Sequence, residues 1–415
     1  MIAVLLVVVL VVVGGIHWYL WKRLVKDTTR TRRARIVGSV IAVLLALVIP
    51  TTLALSRTLP HSRQAIVAWP GFLWLALMFY LLVTLLILEI PRLAIRLWQR
   101  RSAPPSLPQV SPPQAAAPDI SDEDPSFAAE APPKPVAEEL GFDASRRLLL
   151  GRSLAVTAGV LSTSAVGIGV YQAMSAPNLK RVPIRLAKLP SSMNGFRIAV
   201  VSDIHLGPLL GRSHTERIVR MINSVDADLV AVVGDLVDGS VAELGEAAEP
   251  LQDLRGKHGS FFVTGNHEYF SGYQEWVDEV NSLGVRVLRN ERVDVLGLDL
   301  AGVNDLSGEG VGDGPDFGKA LDGRDTSRPV VLLAHQPIQA HDAARHGVDL
   351  QLSGHTHGGQ MVPFNLLVGL QQPVVAGLGT VDGTQVYVTR GAGFWGPPVR
   401  FGAPPDISII ELHGA

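Results

Sequence analysis

Three long apolar runs, residues 2–20, 36–56 and 66–90, carry no interior Lys or Arg. At a helical rise of 1.5 Å per residue, about 20 residues cover the roughly 30 Å hydrocarbon core of a bilayer. Inside that core every backbone polar group must be satisfied within the segment, which leaves helix as the available form for an isolated run. Residues 1–101 are therefore expected to form three transmembrane helices. Only Met1 precedes the first run, so it lacks the basic region of a cleaved secretory leader and reads as a membrane helix.

The basic residues set an expected orientation. Lys22, Arg23, Lys26, Arg30, Arg32, Arg33 and Arg35 crowd the first connection, and Arg92, Arg96, Arg100 and Arg101 follow the third run. The second connection offers only Arg57 and Arg63. By the positive-inside rule the N-terminus lies outside and the third helix exits into the cytoplasm. Residues 102–144 hold ten prolines with Ala, Ser and the acidic stretch Asp122, Glu123, Asp124. Such a composition cannot bury enough apolar surface to offset chain entropy, and it reads as a disordered linker. A weaker apolar segment lies within residues 145–176, preceded by Ser145, Arg146 and Arg147. Two readings fit it: a fourth transmembrane helix with its arginines on the cytoplasmic side, or a signal anchor of the twin-arginine type. Both put residues 177–415 outside the cytoplasm and attached to the cell membrane.

Composition removes several classes of function. Lys and Arg total 36 against 38 Asp and Glu, a formal charge of -2, so no basic field draws nucleic acid. Cysteine is absent, which excludes disulfide frameworks, thiolate metal sites and cysteine nucleophiles. Any metal is left to His, Asn, Asp and Glu.

From residue 177 onward short β-branched runs alternate with amphipathic stretches, the pattern of an α/β domain. Strands are expected at Ile184–Leu186, Phe196–Ser202, Leu229–Val233, Ser260–Val263, Val285–Leu288, Val295–Ala301, Val330–Ala334, Leu350–Leu352, Gln385–Thr389 and Ile407–Leu412. Helices are expected at Thr215–Asn223, Ala242–Leu254, Gln274–Leu283 and Ile338–Arg345. Metal-ligand residue types follow five of these strands: Asp203 and His205, then Asp235, then Asn266, His267 and Glu268, then His335, then His355 and His357. Loops at the C-terminal ends of parallel strands share one rim, so the five are expected to converge on one crevice. Asp203 and His205, like His355 and His357, are two apart and share a face if the backbone is extended. Gly234, Gly265 and Gly354 each precede a candidate ligand and permit close backbone approach. A donor set of carboxylate, imidazole and amide oxygen suits Mn, Fe or Zn.

The ordered series DIHLG, GDLVD, GNHE, the lone His335 and GHTHGG resembles the calcineurin-like metallophosphoesterase family over about residues 195–360. Gly358, Gly359 and Gln360 with the later GFWGPPVRFG resemble its membrane-attached or exported bacterial members. The resemblance implies a four-layer α-β-β-α sandwich over residues 177–415 and a centre of two divalent ions. Asp203, His205 and His357 would hold one ion, Asn266, His335 and His355 the other, with Asp235 bridging both. His267 matches the family's histidine beside the leaving or attacking oxygen, and Glu268 stands where many members have Asp. The implied reaction is hydrolysis of phosphate mono- or diesters by metal-activated water.

Other residues keep plainer readings. His214, His258, His341, His346 and His413 are taken as structural or surface histidines. Asp238 fits equally as support for a ligand or as a helix N-cap. Arg390 and Arg400 are read as packing or surface arginines in preference to phosphate contacts. The apolar stretch Met361–Gly377, with Phe394 and Trp395, either packs on the domain's own core or meets lipid. On the second reading the substrate is a lipid-linked or cell-envelope phosphate ester. Two alternatives stand beside the enzyme: a membrane sensor or scaffold that binds a phosphate ligand, and a cytoplasm-facing nucleotide phosphodiesterase. Oligomeric state is left open.

Overall fold

A computed structural model describes residues 2–56, 58–102 and 137–414, with side chains described over 11–56, 58–94, 145–146 and 148–414. Most of the expected linker, 103–136, lies outside the described residues, as do Arg57 and the side chains of Arg96, Arg100, Arg101 and Arg147. The apolar segments are helical: α1 (Ile2–Trp21), α2 (Arg32–Ser56), α3 (His61–Ser102) and α4 (Ala137–Met174). Helix α4 thus begins inside the stretch read as linker. Among the described residues three helices are long and apolar enough to cross a membrane, Arg32–Ser56, His61–Ala94 and Leu148–Met174. Val40, Leu47, Ile66 and Val156 on them are exposed, as lipid-facing side chains must be.

The chain divides into two compact units. The first, Met1–Leu44 with Leu81–Ser162, is tied by charge at the basic ends of its helices. Arg23 reaches Asp27 at 2.9 Å and Glu89 at 2.8 Å, and Arg152 donates to the Thr28 carbonyl at 3.0 Å. The second unit, Leu45–Tyr80 with Thr163–Ala415, holds the α/β domain.

Twelve strands build that domain: β1 (Asn178–Arg185), β2 (Phe196–Val201), β3 (Leu229–Val233), β4 (Ser260–Val263), β5 (Arg286–Val287), β6 (Glu291–Val295), β7 (Leu298–Gly302), β8 (Val330–Leu333), β9 (Leu350–Ser353), β10 (Gly377–Val381), β11 (Thr384–Val388) and β12 (Asp406–His413). They form two six-stranded mixed sheets, ordered β1-β12-β2-β3-β4-β5 and β10-β11-β9-β8-β7-β6. β2 to β5 run parallel in the first sheet, and β7, β8, β9 and β11 run parallel in the second.

Side-chain alternation explains the layering. Ile198 and Val200 of β2, with Val331 and Leu333 of β8, pack between the sheets. Ala199 and Val201 face the helices Arg212–Asn223, Val241–Ala248 and Tyr273–Ser282, while Val330 and Leu332 face the helices over 317–321 and 340–345. Three apolar cores therefore separate four layers, α-β-β-α. Strands buried on both faces read as unbroken apolar runs, which is why β2, β3, β4 and β8 were visible in the sequence.

Two expected elements differ. The run Val295–Ala301 holds only the last residue of β6, then a turn at Leu296 and Gly297, both at positive φ, and most of β7, and the two strands pair antiparallel. The stretch Ala242–Leu254 stops being α-helical at Ala248, and Pro250 lies in the 3-10 turn that follows.

His214, on the inner side of Arg212–Asn223, is buried, and its Nε2 has no hydrogen-bond partner among the described residues. Burial, with Arg217 adding, lowers its pKa from 6.5 to about 4. The unfolded chain therefore takes up a proton near pH 6.5 that the folded chain resists, so stability falls as pH drops from 6.5 through 4. The loss reaches about 3 kcal/mol. Thermal melting at pH 7 and pH 4.5 checks this: His214→Leu should show a smaller acid shift than the parent, and equal shifts contradict the assignment.

Candidate metal centre

Every predicted site residue lies just beyond the C-terminal end of a parallel strand. Asp203 and His205 follow β2, Asp235 follows β3, Asn266 and His267 follow β4, His335 follows β8, and His355 and His357 follow β9. Asp203, His205, Asp235, His355 and His357 all adopt left-handed backbone, with φ between 50° and 69°. That region costs of order 1–3 kcal/mol for non-glycine residues and survives only where surrounding contacts over-determine it. The extended geometry expected for Asp203–His205 and His355–His357 is thus replaced by tight turns. A Cβ at Gly354 would fall on the Asp203 carboxylate, and one at Gly234 would lie 2.6 Å from the His335 ring. Glycine at these positions lets the loops close.

The eight predicted residues come together. His355 N–H donates to both Asp203 carboxylate oxygens at 3.1 and 3.0 Å, and Asp203 Oδ1 lies 3.4 Å from His357 Nε2. His205 Nε2 faces His357 Nε2 at 3.0 Å. Asp235 Oδ2 lies 3.1 Å from His335 Nε2, 3.9 Å from His205 Nε2 and 4.0 Å from His267 Nε2. Its Oδ1 accepts from the His267 backbone N–H at 2.9 Å. Asn266 Oδ1 meets the His355 ring Nδ1 at 2.9 Å. Among the described residues three clusters of possible ligand atoms result, Asp203 with His205 and His357, Asp235 with His335 and His355, and His205 with Asp238 and His267.

Three further residues complete the site. Asp238 Oδ1 accepts from His205 Nδ1 at 3.0 Å and from His267 Nδ1 at 2.6 Å. The N-cap of Val241–Ala248 is Ser240, so Asp238 holds the His205 and His267 rings and does not cap the helix. Glu268, fully buried, accepts from the backbone N–H groups of Asp235 (3.0 Å), Leu236 (2.8 Å) and Gly265 (2.6 Å). Arg400, also fully buried, donates to His357 Nδ1 at 2.8 Å. The sequence signal for Asp238 is its place three residues after Asp235; Arg400 carried none beyond its glycine-proline loop.

The electrostatics are those of buried charge seeking compensation. Burial alone would lower His205, but Asp238, Asp235 and Asp203 lift it to about 9. His335 is likewise raised against its burial, chiefly by Asp235. Asp235 is held far below the usual carboxylate range, against burial, by His335, His267 and His205. Burial and Asp235 push Glu268 up to about 7 in spite of its backbone donors. Burial, then His335, lowers His355 to about 3.

Divalent cations suit this donor set. His335 Nδ1 meets the Val233 carbonyl at 2.8 Å, which leaves a lone pair on Nε2. That buried nitrogen has no hydrogen-bond partner among the described residues, yet faces a carboxylate oxygen. Two lone pairs so placed repel unless a proton or a cation joins them.

The calcineurin-like phosphoesterase family matches residues 196–359. A metallophosphoesterase of Helicobacter pylori is 40% identical over 278 residues, 66% of this chain and 74% of that protein. One from Aquifex aeolicus is 34% identical over 257 residues, 60% of this chain and 98% of that protein. The chain belongs to the metallophosphoesterase family. A transmembrane protein with a metallophosphoesterase domain from Danio rerio is 40% identical over 274 residues, and the match spans 63% of that protein's length.

Glu268→Ala would strand three buried N–H groups at about 1–3 kcal/mol each. Urea unfolding of the variant should show a loss of at least about 3 kcal/mol; a loss under 1 kcal/mol means that Glu268 does not hold the β3 and β4 loops together.

Proposed function

We propose that the chain is a membrane-anchored phosphoesterase that hydrolyses phosphate mono- or diesters with two divalent ions, Mn, Fe or Zn. Asp203, His205 and His357 would hold one ion and Asn266, His335 and His355 the other, with Asp235 serving both. The observation that carries this reading is the Asp235 carboxylate, buried and within 4.0 Å of three imidazoles, those of His335, His205 and His267. When bound, such a pair of ions activates a water and stabilises charge on the attacking and leaving oxygens.

The chain's own residues supply orientation and proton transfer. His267 keeps Nδ1 on Asp238, which fixes the ring so that a proton on Nε2 can be given to the leaving oxygen. General-acid assistance of that kind contributes typically about 10²- to 10⁴-fold. Asp238 grips His205 and His267 together, so one carboxylate orients a metal ligand and the acid at once. Glu268 fixes the loop that carries Asp235.

The ester is taken at the membrane surface, as a lipid-linked or cell-envelope phosphate. Trp395 and Phe270, both exposed, flank the His267 ring at centroid distances of 5.9 and 5.7 Å. Leu366, Leu367 and Leu370 are exposed on the loop after His357, and neighbouring Phe364 sits 6.4 Å from the ring of Phe79 in α3. Exposed apolar and aromatic side chains beside an apolar helix are what an interfacial surface requires. The charge asymmetry of the helix connections supports an extracytoplasmic domain, and protease access in intact cells against inverted vesicles tests that side.

Full-length variants with Mn test the chemistry. Asp235→Asn should lose bound metal and nearly all turnover of p-nitrophenyl phosphate and bis-p-nitrophenyl phosphate. His267→Ala should keep its metal and lose about 10²- to 10⁴-fold in turnover. Wild-type rates in either overturn the assignment. For the substrate class, Leu366→Ser with Leu370→Ser should slow hydrolysis of phospholipid in mixed micelles and leave soluble esters unaffected; equal effects on both argue against a lipid substrate.

A further inference from the structure

Single exposed apolar side chains are ordinary on a protein surface, but two aromatic rings set against one proton donor are not. Phe270 stands three residues after His267 on the helix Asn266–Ser271, a spacing that puts both on one face. Its ring lies 5.7 Å from the imidazole, edge-on at 71°. Trp395 comes from the loop after β11 and lies 5.9 Å from the same imidazole at 74°. Phe270 is 74% exposed and Trp395 58% exposed. The Trp395 segment is pinned by one side chain: Gln360 Oε1 accepts from the Trp395 N–H at 3.1 Å, and Gln360 Nε2 donates to the carbonyls of Trp395 and Pro397 at 2.9 and 3.0 Å.

Polar and apolar neighbours divide around His267. Its Nδ1 meets Asp238 at 2.6 Å, and its Nε2 lies 4.0 Å from Asp235 Oδ2. Of the three rings about it, His205 is buried, whereas Phe270 and Trp395 are exposed. A group bonded to the oxygen beside His267 therefore extends from a buried polar centre onto exposed aromatic carbon. The same segment runs on to the apolar helices. Phe394 is buried with Ala173 of α4, and a Cβ at Gly396 would stand 4.0 Å from the Phe72 ring of α3.

We propose that Phe270 and Trp395 form the subsite of the leaving alcohol, and that this alcohol is the apolar part of the ester, a diacylglycerol or a long-chain alcohol, with the polar group left on phosphorus. The inference deepens the phosphoesterase reading and rests on it, with His267 as the acid. A water oxygen bonds to phosphorus, and the bond from phosphorus to the oxygen of the apolar alcohol breaks. The electron pair stays on that oxygen, which takes the proton of His267 Nε2. The proton lost by the water returns to His267 through solvent. The products are a neutral apolar alcohol, released beside Phe72 and Phe394, and a phosphate that keeps whatever polar group it carried.

Ethyl octyl phosphate tests the choice of bond. Its two alcohols leave equally well in water and sit in one molecule, so partition into detergent cannot bias the outcome. Full-length protein loaded with Mn, Fe or Zn in turn should release octanol and ethyl phosphate over ethanol and octyl phosphate by at least about 10-fold, the least that one methylene gives in an apolar site. Mass spectrometry of the two phosphate products reads the ratio. Phe270→Ala with Trp395→Ala should remove most of the preference; both rings are exposed, so the fold does not depend on them. Leu296→Ala, exposed at the β6–β7 turn, should keep the parent's ratio. If only monoesters react, octyl phosphate should exceed ethyl phosphate in kcat/KM by the same factor in the parent and not in the double variant. A parent that releases ethanol or both alcohols equally, or a double variant with the parent's ratio, overturns the inference and leaves the phosphoesterase standing. A parent inactive on every ester overturns both.

Discussion

The domain is organised around a carboxylate that should not be where it is. Asp235 is buried at the end of a fully buried strand, with Asp203 and Glu268 buried beside it. Removing ionised carboxylates from water costs several kcal/mol each unless charge and hydrogen bonds compensate. Compensation comes from all sides: the imidazoles of His335, His205 and His267 around Asp235, the His355 N–H on Asp203, and three backbone donors on Glu268. These groups come from separate stretches of the chain, after β2, β3, β4, β8 and β9. They meet because two sheets turn the C-terminal ends of their parallel strands to one rim, and because five site residues accept left-handed backbone to aim inward.

The fold was legible where burial on both faces wrote itself as an apolar run. The strands before Asp203, Asp235, His267 and His335 stood out for that reason, and the ligand types at their ends marked the rim. Legibility failed where one apolar run conceals a turn. Val295 to Ala301 reads as a single strand, yet Leu296 and Gly297 reverse the chain. Strand β10 was missed because Gly377 and Gly379 interrupt its pattern. The site was readable to the level of metal-ligand types and no further. That Asp238 serves two histidines, or that Arg400 backs His357, depends on contacts across 29 to 43 residues of chain, such as His205 with Asp238 and His357 with Arg400. Spacing in the sequence holds no record of these contacts.

The apolar helices and the catalytic rim share more than a chain. Phe79 and Tyr80 of α3, with Ala165, Gly169 and Ala173 of α4, contact the loops that follow His357 and carry Arg400.

X-ray absorption fine structure on Mn-loaded, full-length protein examines the central claim most directly, since it reads metal–metal separation without substrate or turnover. Two ions sharing Asp235 predict a Mn–Mn scattering path near about 3.5–4 Å, which disappears in Asp235→Asn. A spectrum of isolated ions in the parent, with first-shell scattering only, would contradict the account.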